Sequence, residues 1–178
     1  IVRGEGEETL YRLLRDMIYD NIYERAELIN LDDNPMPAYD LIPDMERYIM
    51  NKHYGSRVLP LNTSRGCVNK CAFCFNQGMK TSQWRGLNAV NIISQIEYLK
   101  GNYNIDGVQF YEDNFDISTS RVVKFCRLIK NSDIKWSHFS TVKNSDIELL
   151  SMERRAGCRE IAYGVESGSD RILKLLNK

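Results

Sequence analysis

Cys67, Cys71 and Cys74 lie within one eight-residue stretch of a 178-residue chain that holds five cysteines. At that composition the C-x3-C-x2-C spacing arises by chance only about 0.004 times per chain. An odd cysteine total and tight clustering fit a disulfide framework badly, and point instead to reduced thiols that hold a metal. Structural zinc is one candidate. It takes four protein ligands, so a fourth would have to come from His53, His138, Cys126 or Cys158, none of them adjacent in sequence. Cys126 falls on the apolar side of a helical pattern and Cys158 just before a strand pattern, and free cysteine is among the most buried residue types.

Other chemistry-bearing side chains stand in short polar runs between apolar segments. Tyr111-Glu112-Asp113-Asn114-Phe115 offers two carboxylates that could accept from an ammonium group, or form a plain acidic turn. Gly164-Val165-Glu166-Ser167-Gly168 offers a carboxylate and a hydroxyl, which a following helix could equally use as caps. Arg65 and Arg85 flank the cysteine loop, as functional cations or as surface ion-pair partners. Phe73, between the second and third cysteines, would keep water from a bound metal or simply pack.

The elements that must position these residues follow from periodicity. Leu10, Leu13, Leu14, Met17, Ile18, Ile22 and Ala26 have helical spacing from Glu7 to about Ile29. Pro35 and Pro37, in an acidic turn cluster, forbid a regular helix and mark a linker over 30–57, with a short amphipathic stretch at Asp44 to Lys52. From Val58 onward the chain reads as four β-α units. Strands are expected at Val58 to Leu61, Val108 to Tyr111, Ile134 to Phe139 and Glu160 to Gly164. Helices follow each of them, one opened by a capping box at Ser145-x-x-Glu148 and the last at Asp170 to Leu176. This is an α/β pattern, half of an eight-stranded TIM-like barrel, with the four chemistry-bearing loops on the rim at the carboxyl ends of the strands. A four-strand arc leaves its last edge unpaired, so the chain is expected to be incomplete. No internal repeat or low-complexity segment is present.

Composition excludes several classes. Lys+Arg and Asp+Glu both number 24, which removes the basic footprint of a general nucleic-acid binder. The hydrophobic fraction of 43% suits a packed core rather than disorder. Apolar stretches fall far below the ~20 residues a membrane span needs, and no signal-peptide pattern opens the chain, so a cytoplasmic location is expected.

With Phe73 in place, the cysteine motif resembles the C-x3-C-x-aromatic-C signature of the radical S-adenosylmethionine (SAM) superfamily, sited after a first strand as in that family. The Thr-Ser-Arg-Gly-Cys string, the Glu-Asp-Asn-Phe loop, Ala156-Gly157-Cys158 and Gly-Val-Glu-Ser-Gly-Ser are similar to the class that carries a cobalamin-binding domain. So are the opening Val2-Arg3-Gly4-Glu5-Gly6-Glu7 and the Asp-Asp-Asn-Pro-Met-Pro-Ala-Tyr-Asp linker. The resemblance implies that 1–29 is the end of a cobalamin-binding-like domain, 30–57 an interdomain linker and 58–178 the first half of a radical SAM barrel. It implies that Cys67, Cys71 and Cys74 hold a [4Fe-4S] cluster, Asp113 or Glu112 the SAM ammonium, and Glu166 with Ser167 the ribose hydroxyls. Three thiolates each hold one iron of a cubane and leave the fourth iron open to a small molecule. The activity implied is reductive cleavage of SAM to a 5′-deoxyadenosyl radical, with an electron donor such as flavodoxin or ferredoxin and an unknown, small-molecule or other substrate. Cobalamin-dependent methyl transfer is implied for the intact parent, cobalamin itself binding outside this segment, since no Asp-x-His-x-x-Gly loop exists here. Many relatives carry an arginine after strand three for the SAM carboxylate, where this chain has Ser140 and Thr141. The residues choosing the reaction outcome are not identified by the motifs, and a non-catalytic zinc- or cluster-binding interaction domain is the alternative.

Overall fold

A computed structural model describes residues 1–17, 22–23, 28–78 and 83–178. Its centre is a five-stranded sheet in the order β1 (Met50–Lys52), β2 (Gly55–Leu61), β5 (Gly107–Phe110), β6 (Lys135–Ser140), β7 (Cys158–Tyr163). Strands β2, β5, β6 and β7 are parallel and adjacent in chain order, the topology expected of consecutive β-α units. The result is a mixed α/β fold whose curled sheet forms a half-barrel. Two short strands, β3 (Ser64–Arg65) and β4 (Arg85–Gly86), pair antiparallel outside it.

Helices α3 (Ala89–Tyr103), α4 (Thr119–Ile129) and α5 (Ile147–Arg155) alternate with the parallel strands. Each starts where a side chain satisfies orphan backbone donors: Asn88 accepts from Val90 and Asn91, Ser118 from Arg121, and Asp146 from Glu148 and Leu149. The cap of α5 is thus Asp146, one residue beyond the expected Ser145, because its carboxylate meets two N–H groups at once.

The helices bury their apolar stripes on one face of the sheet. Ile92 and Leu99 of α3, Val122 and Phe125 of α4, and Val108, Phe110 and Trp136 of the strands are all fully buried. Each such side chain contributes roughly 1.5–3 kcal/mol by leaving water. Phe110, Phe115, Phe125 and Trp136 form one aromatic group, Phe110 stacking on Phe115 at 4.3 Å and meeting Phe125 edge-on at 5.4 Å. The opposite face carries Pro60, Gln109, Ser137 and Glu160 in cross-strand register, a more polar row that no helix needs to cover.

Three expectations change. The first helix, α1, spans Glu7–Asp16 and stops at Met17 in the left-handed region; Tyr23, inside the expected helix, instead bridges Val2. The remainder of that expected helix lies in part at 18–21 and 24–27, outside the described residues. The stretch Asp44 to Lys52 is a single turn at Met45–Tyr48 followed by β1, which forms a hairpin with β2. Strand β2 begins at Gly55, so this hairpin crosses the 57/58 boundary expected from the prolines. Among the described residues, no helix is long and apolar enough to cross a membrane.

Candidate functional site

The carboxyl end of β2 runs through Asn62 and Thr63 into β3, and the cysteine loop then occupies the interval before β4. Gly66, at φ 81°, makes the turn into Cys67, a conformation that costs other L-residues about 1 kcal/mol. Cys74 N–H donates to the Cys71 carbonyl at 3.0 Å, and a short helix, α2 (Phe75–Gly78), follows. All three cysteines are free thiols, Cys71 buried and Cys67 and Cys74 partly exposed. Burial pushes the Cys67 thiol up, against hydrogen bonding by Asn69.

The loop is anchored on several sides. Ala72 N–H donates to Leu176 and Asn177 Nδ2 to the Lys70 carbonyl, at 2.9 and 2.7 Å, at the end of α6 (Asp170–Leu176). Asn76 Nδ2 donates to Asp113 Oδ2 at 2.8 Å, tying the thiol loop to the loop after β5. Two pockets flank it. One, of about 480 Å³, is lined by Ser64, Arg65, Tyr111, Glu112, Asp113 and Phe139. The other, of about 330 Å³ and largely apolar, is lined by Cys71, Thr141, Val142, Gly164, Val165 and Leu173.

Neighbouring carboxylates take opposite situations. Asp113 is exposed, whereas the Glu112 side chain is 1% exposed and accepts from Thr63 N–H at 2.8 Å, from Thr63 Oγ1 and from Ser64 Oγ. Below it lies a residue that sequence reasoning missed. Arg121 of α4 is buried; it donates to the carbonyls of Leu87 and Phe115 at 2.9 and 3.0 Å and to Thr63, with Glu112 Oε2 at 4.0 Å. Its guanidinium also lies over the rings of Trp84 and Phe115. Burial lowers its pKa, and the nearby Glu112 and Asp32 oppose that. One cation therefore gathers both ends of the cysteine loop and the base of the Asp113 loop. The signal was there: position 121 lies four residues before Phe125, on the apolar stripe of its helix and near its positive end, where a lone arginine has no ordinary reason to be.

Glu166 stands at φ 61° after β7, its side chain 33% exposed, with Oε1 3.2 Å from Lys178 Nζ. Ser167 Oγ accepts from Ser169 N–H at 3.1 Å and steadies the turn, while the helix cap is Ser169 without a side-chain bond. Ser140 and Thr141 diverge: Ser140 Oγ donates to buried Asp116 at 2.6 Å, and Thr141 lines the apolar pocket. Phe73 is 54% exposed, so the expected shielding aromatic faces water over half its surface. Arg65 and Arg85 are ion-paired with Glu5 and Glu7.

None of the possible fourth zinc ligands lies at this loop. His53 is at the β1–β2 turn beside Glu160, at 3.4 Å, on the far end of the strand. His138 is fully buried in β6, its Nε2 3.3 Å from Glu153 Oε1 of α5 and its ring stacked on Trp136. Cys126 and Cys158 are buried, their thiols pushed up to about 12 by desolvation and by Glu153. Among the described residues no three His, Cys, Asp or Glu side chains, Cys67, Cys71 and Cys74 included, converge on one ion. A cubane instead asks each thiolate to meet a different iron, and three thiols in one loop with no fourth ligand suit that donor set.

A family model described as the Radical SAM superfamily matches residues 61–178. An uncharacterized methyltransferase of Pyrococcus horikoshii is 29% identical over the whole chain and 42% of its own length. The cytidylyl-2-hydroxyethylphosphonate methyltransferase of Streptomyces wedmorensis is 30% identical over 83% of the chain and 29% of its own length. The chain thus spans less than half of these curated relatives. Among solved structures, the radical S-adenosylmethionine methyltransferase TsrM from Kitasatospora setae shares the fold. Its complex with tryptophan substrate and aza-SAM superposes with a TM-score of 0.60 at 16% identity, over 69% of this chain and 24% of that one. A second structure of it, with cobalamin and a [4Fe-4S] cluster, gives 0.59 at 17% identity, over 64% and 22%.

Proposed function

The chain belongs to the radical SAM superfamily, and from that membership we propose that Cys67, Cys71 and Cys74 hold a [4Fe-4S] cluster whose open iron faces SAM. The observation that carries the reading is the Asn76–Asp113 hydrogen bond, which ties the loop bearing the thiols to a loop bearing an exposed carboxylate. Asp113 receives the SAM ammonium through a charge-assisted bond. Glu112, already engaged by Thr63 and Ser64, holds that loop in place rather than meeting the ligand. Glu166, with Ser167 steadying its turn, accepts from the ribose hydroxyls, and Lys178 yields that carboxylate.

When bound, cluster and SAM together supply one-electron cleavage of the sulfonium to methionine and a 5′-deoxyadenosyl radical, the electron coming from a donor such as flavodoxin or ferredoxin. The chain's own contribution is to orient SAM between two rim loops and to keep water from the thiols on the side where Cys71 is buried. For the whole protein we propose methyl transfer aided by cobalamin, with residues 1–29 closing a cobalamin-binding domain, a linker running from residue 30 to the β1–β2 hairpin, and the half-barrel from that hairpin onward. Two relatives named as methyltransferases and the fold shared with TsrM support this. The cobalamin site itself is proposed outside this segment, which has no Asp-x-His-x-x-Gly string.

Anaerobic reconstitution followed by EPR of the reduced protein, without and with SAM, tests the reading. About four irons per chain and a [4Fe-4S]⁺ signal that shifts on adding SAM are expected. Cys71→Ala should abolish the signal and Cys126→Ala should retain it. Colourless protein carrying one zinc would overturn the proposal.

A further inference from the structure

The cysteine loop leaves the half-barrel at β3 and returns at β4; Arg121 and the Leu87–Thr63 backbone bond join its base, and above them its mouth is closed by the pairing of Ser64 with Gly86 and of Arg65 with Arg85. Facing positions of an antiparallel pair bring side chains together, and two guanidinium groups there repel one another. Cys67 lies two residues beyond Arg65, so whatever settles that repulsion also settles the start of the thiol loop.

The settling groups come from the opposite end of the sequence. Glu5 pairs with both arginines: one oxygen bonds Arg85 Nη2, and the other lies 3.0 Å from Arg85 Nη1 and 3.3 Å from Arg65 Nη1. Glu7, the first residue of α1, bonds Arg65 Nη2. Arg85 Nη1 also donates to the Ile29 carbonyl at 2.6 Å, drawing in the end of the 1–29 segment. Gly4, at φ 81°, turns the chain just before Glu5. The Arg85 and Glu5 side chains are only 17% and 19% exposed, which sets this four-charge network apart from isolated surface pairs.

We propose that Glu5 and Glu7 are positioning residues: they lock the Arg65–Arg85 mouth and thereby let the segment upstream of the half-barrel fix the geometry of the three cysteine ligands. The proposal rests on the reading of that loop as the cluster site, and extends it from the ligands to what aligns them. It also gives Arg65 and Arg85 a task other than meeting SAM.

The test uses the full chain, wild type and Glu5→Gln/Glu7→Gln, in two states. In metal-free protein, amide hydrogen exchange across 66–78 should rise at least tenfold in the variant while 107–110 is unchanged. After anaerobic reconstitution, the variant's reduced cluster should give a broadened EPR signal whose SAM-induced shift is reduced. Adding Arg85→Gln to that variant removes the facing repulsion and should restore part of both readouts. Exchange in 66–78 equal to wild type, or a rise spread equally through 107–110, would overturn the lock. A wild type that takes up no cluster would instead defeat the functional reading, leaving the exchange experiment to decide the lock alone.

Discussion

The amino and carboxyl ends of the same parallel strands are closed in different ways. At the amino ends, Asp106 accepts from Ser56 N–H and Oγ and from Arg57 N–H, at 2.7–2.8 Å, and its carbonyl accepts from Lys135 N–H. The Trp136 indole donates to the Ala156 carbonyl, and Gly157 passes under Ile134 at φ 105°. Donors and acceptors there are consumed in joining neighbouring strands. At the carboxyl ends, buried Arg121, Glu112 and Thr63 brace the loops from beneath while Asp113 and Tyr111 stay exposed. Stability and chemistry are thus divided along the strand direction, as β-α architectures allow. Perturbing the amino end should move stability alone, whereas at the carboxyl end the buried braces should move stability and the exposed groups ligand binding.

The five cysteines give the largest contrast. Cys126, late in α4, and Cys158, first in β7, belong to the amino end and have thiols pushed up to about 12. At pH 8 roughly one such thiol in ten thousand is ionised. Iodoacetamide on metal-free protein, followed by mass spectrometry, should therefore modify Cys67 and Cys74 at least a hundredfold faster than Cys126 and Cys158. Equal rates would erase the division between the ends.

Backbone strain at the amino end ranks next. A Cβ at Gly157 would stand 2.7 Å from the Ile134 carbonyl oxygen, in a backbone conformation that L-residues rarely adopt. Gly157→Ala should cost about 3 kcal/mol, read from the urea midpoint, while the folded protein binds iron as before. A loss below about 1 kcal/mol, or a loss of iron with the fold intact, would break the comparison.

Adjacent residues at the carboxyl end separate brace from ligand contact. Glu112→Gln leaves Arg121 without its nearest charge partner and should lower stability by about 2 kcal/mol, with SAM affinity following only as the loop loosens. Asp113→Asn should leave the melting temperature nearly unchanged and weaken SAM about tenfold in an EPR titration. Reversed outcomes would mean that Glu112, not Asp113, meets the ligand.

Much of this was legible because it depends on local pattern. Period-3.6 apolar stripes placed α3 and α4, and the apolar run before Cys67 placed the cysteine loop after the first parallel strand. What escaped depends on contacts between distant segments. Nothing near Glu112 says that Thr63 and Ser64, about fifty residues earlier, occupy its oxygens, so both adjacent carboxylates stood as ligand candidates, with the family resemblance favouring Asp113. Strand β1 was illegible because Met50–Lys52 is held by pairing with β2 rather than by a pattern of its own. The Glu5–Arg85 pairing joins residues 80 apart, and no local propensity encodes it.

The smallest effect concerns acid, and at the amino end it falls on Asp106. Burial by itself would raise the Asp106 carboxyl, but the hydroxyl of Ser56 and the N–H groups of Arg57 and Ser56 outweigh it and hold the folded-state value below the ordinary one of about 4. A depressed carboxylate contributes stability that is fully present above its unfolded value and is lost as pH falls through the folded one. Wild-type urea midpoints should therefore drop from about pH 4 downward, and Asp106→Asn should flatten that limb while lowering the neutral plateau slightly. The side chain is part-exposed, which keeps the change small. Curves that stay parallel from pH 6 to pH 3 would remove Asp106 from the strand-joining role, and with it the claim that the amino end is closed by charge as well as by close packing.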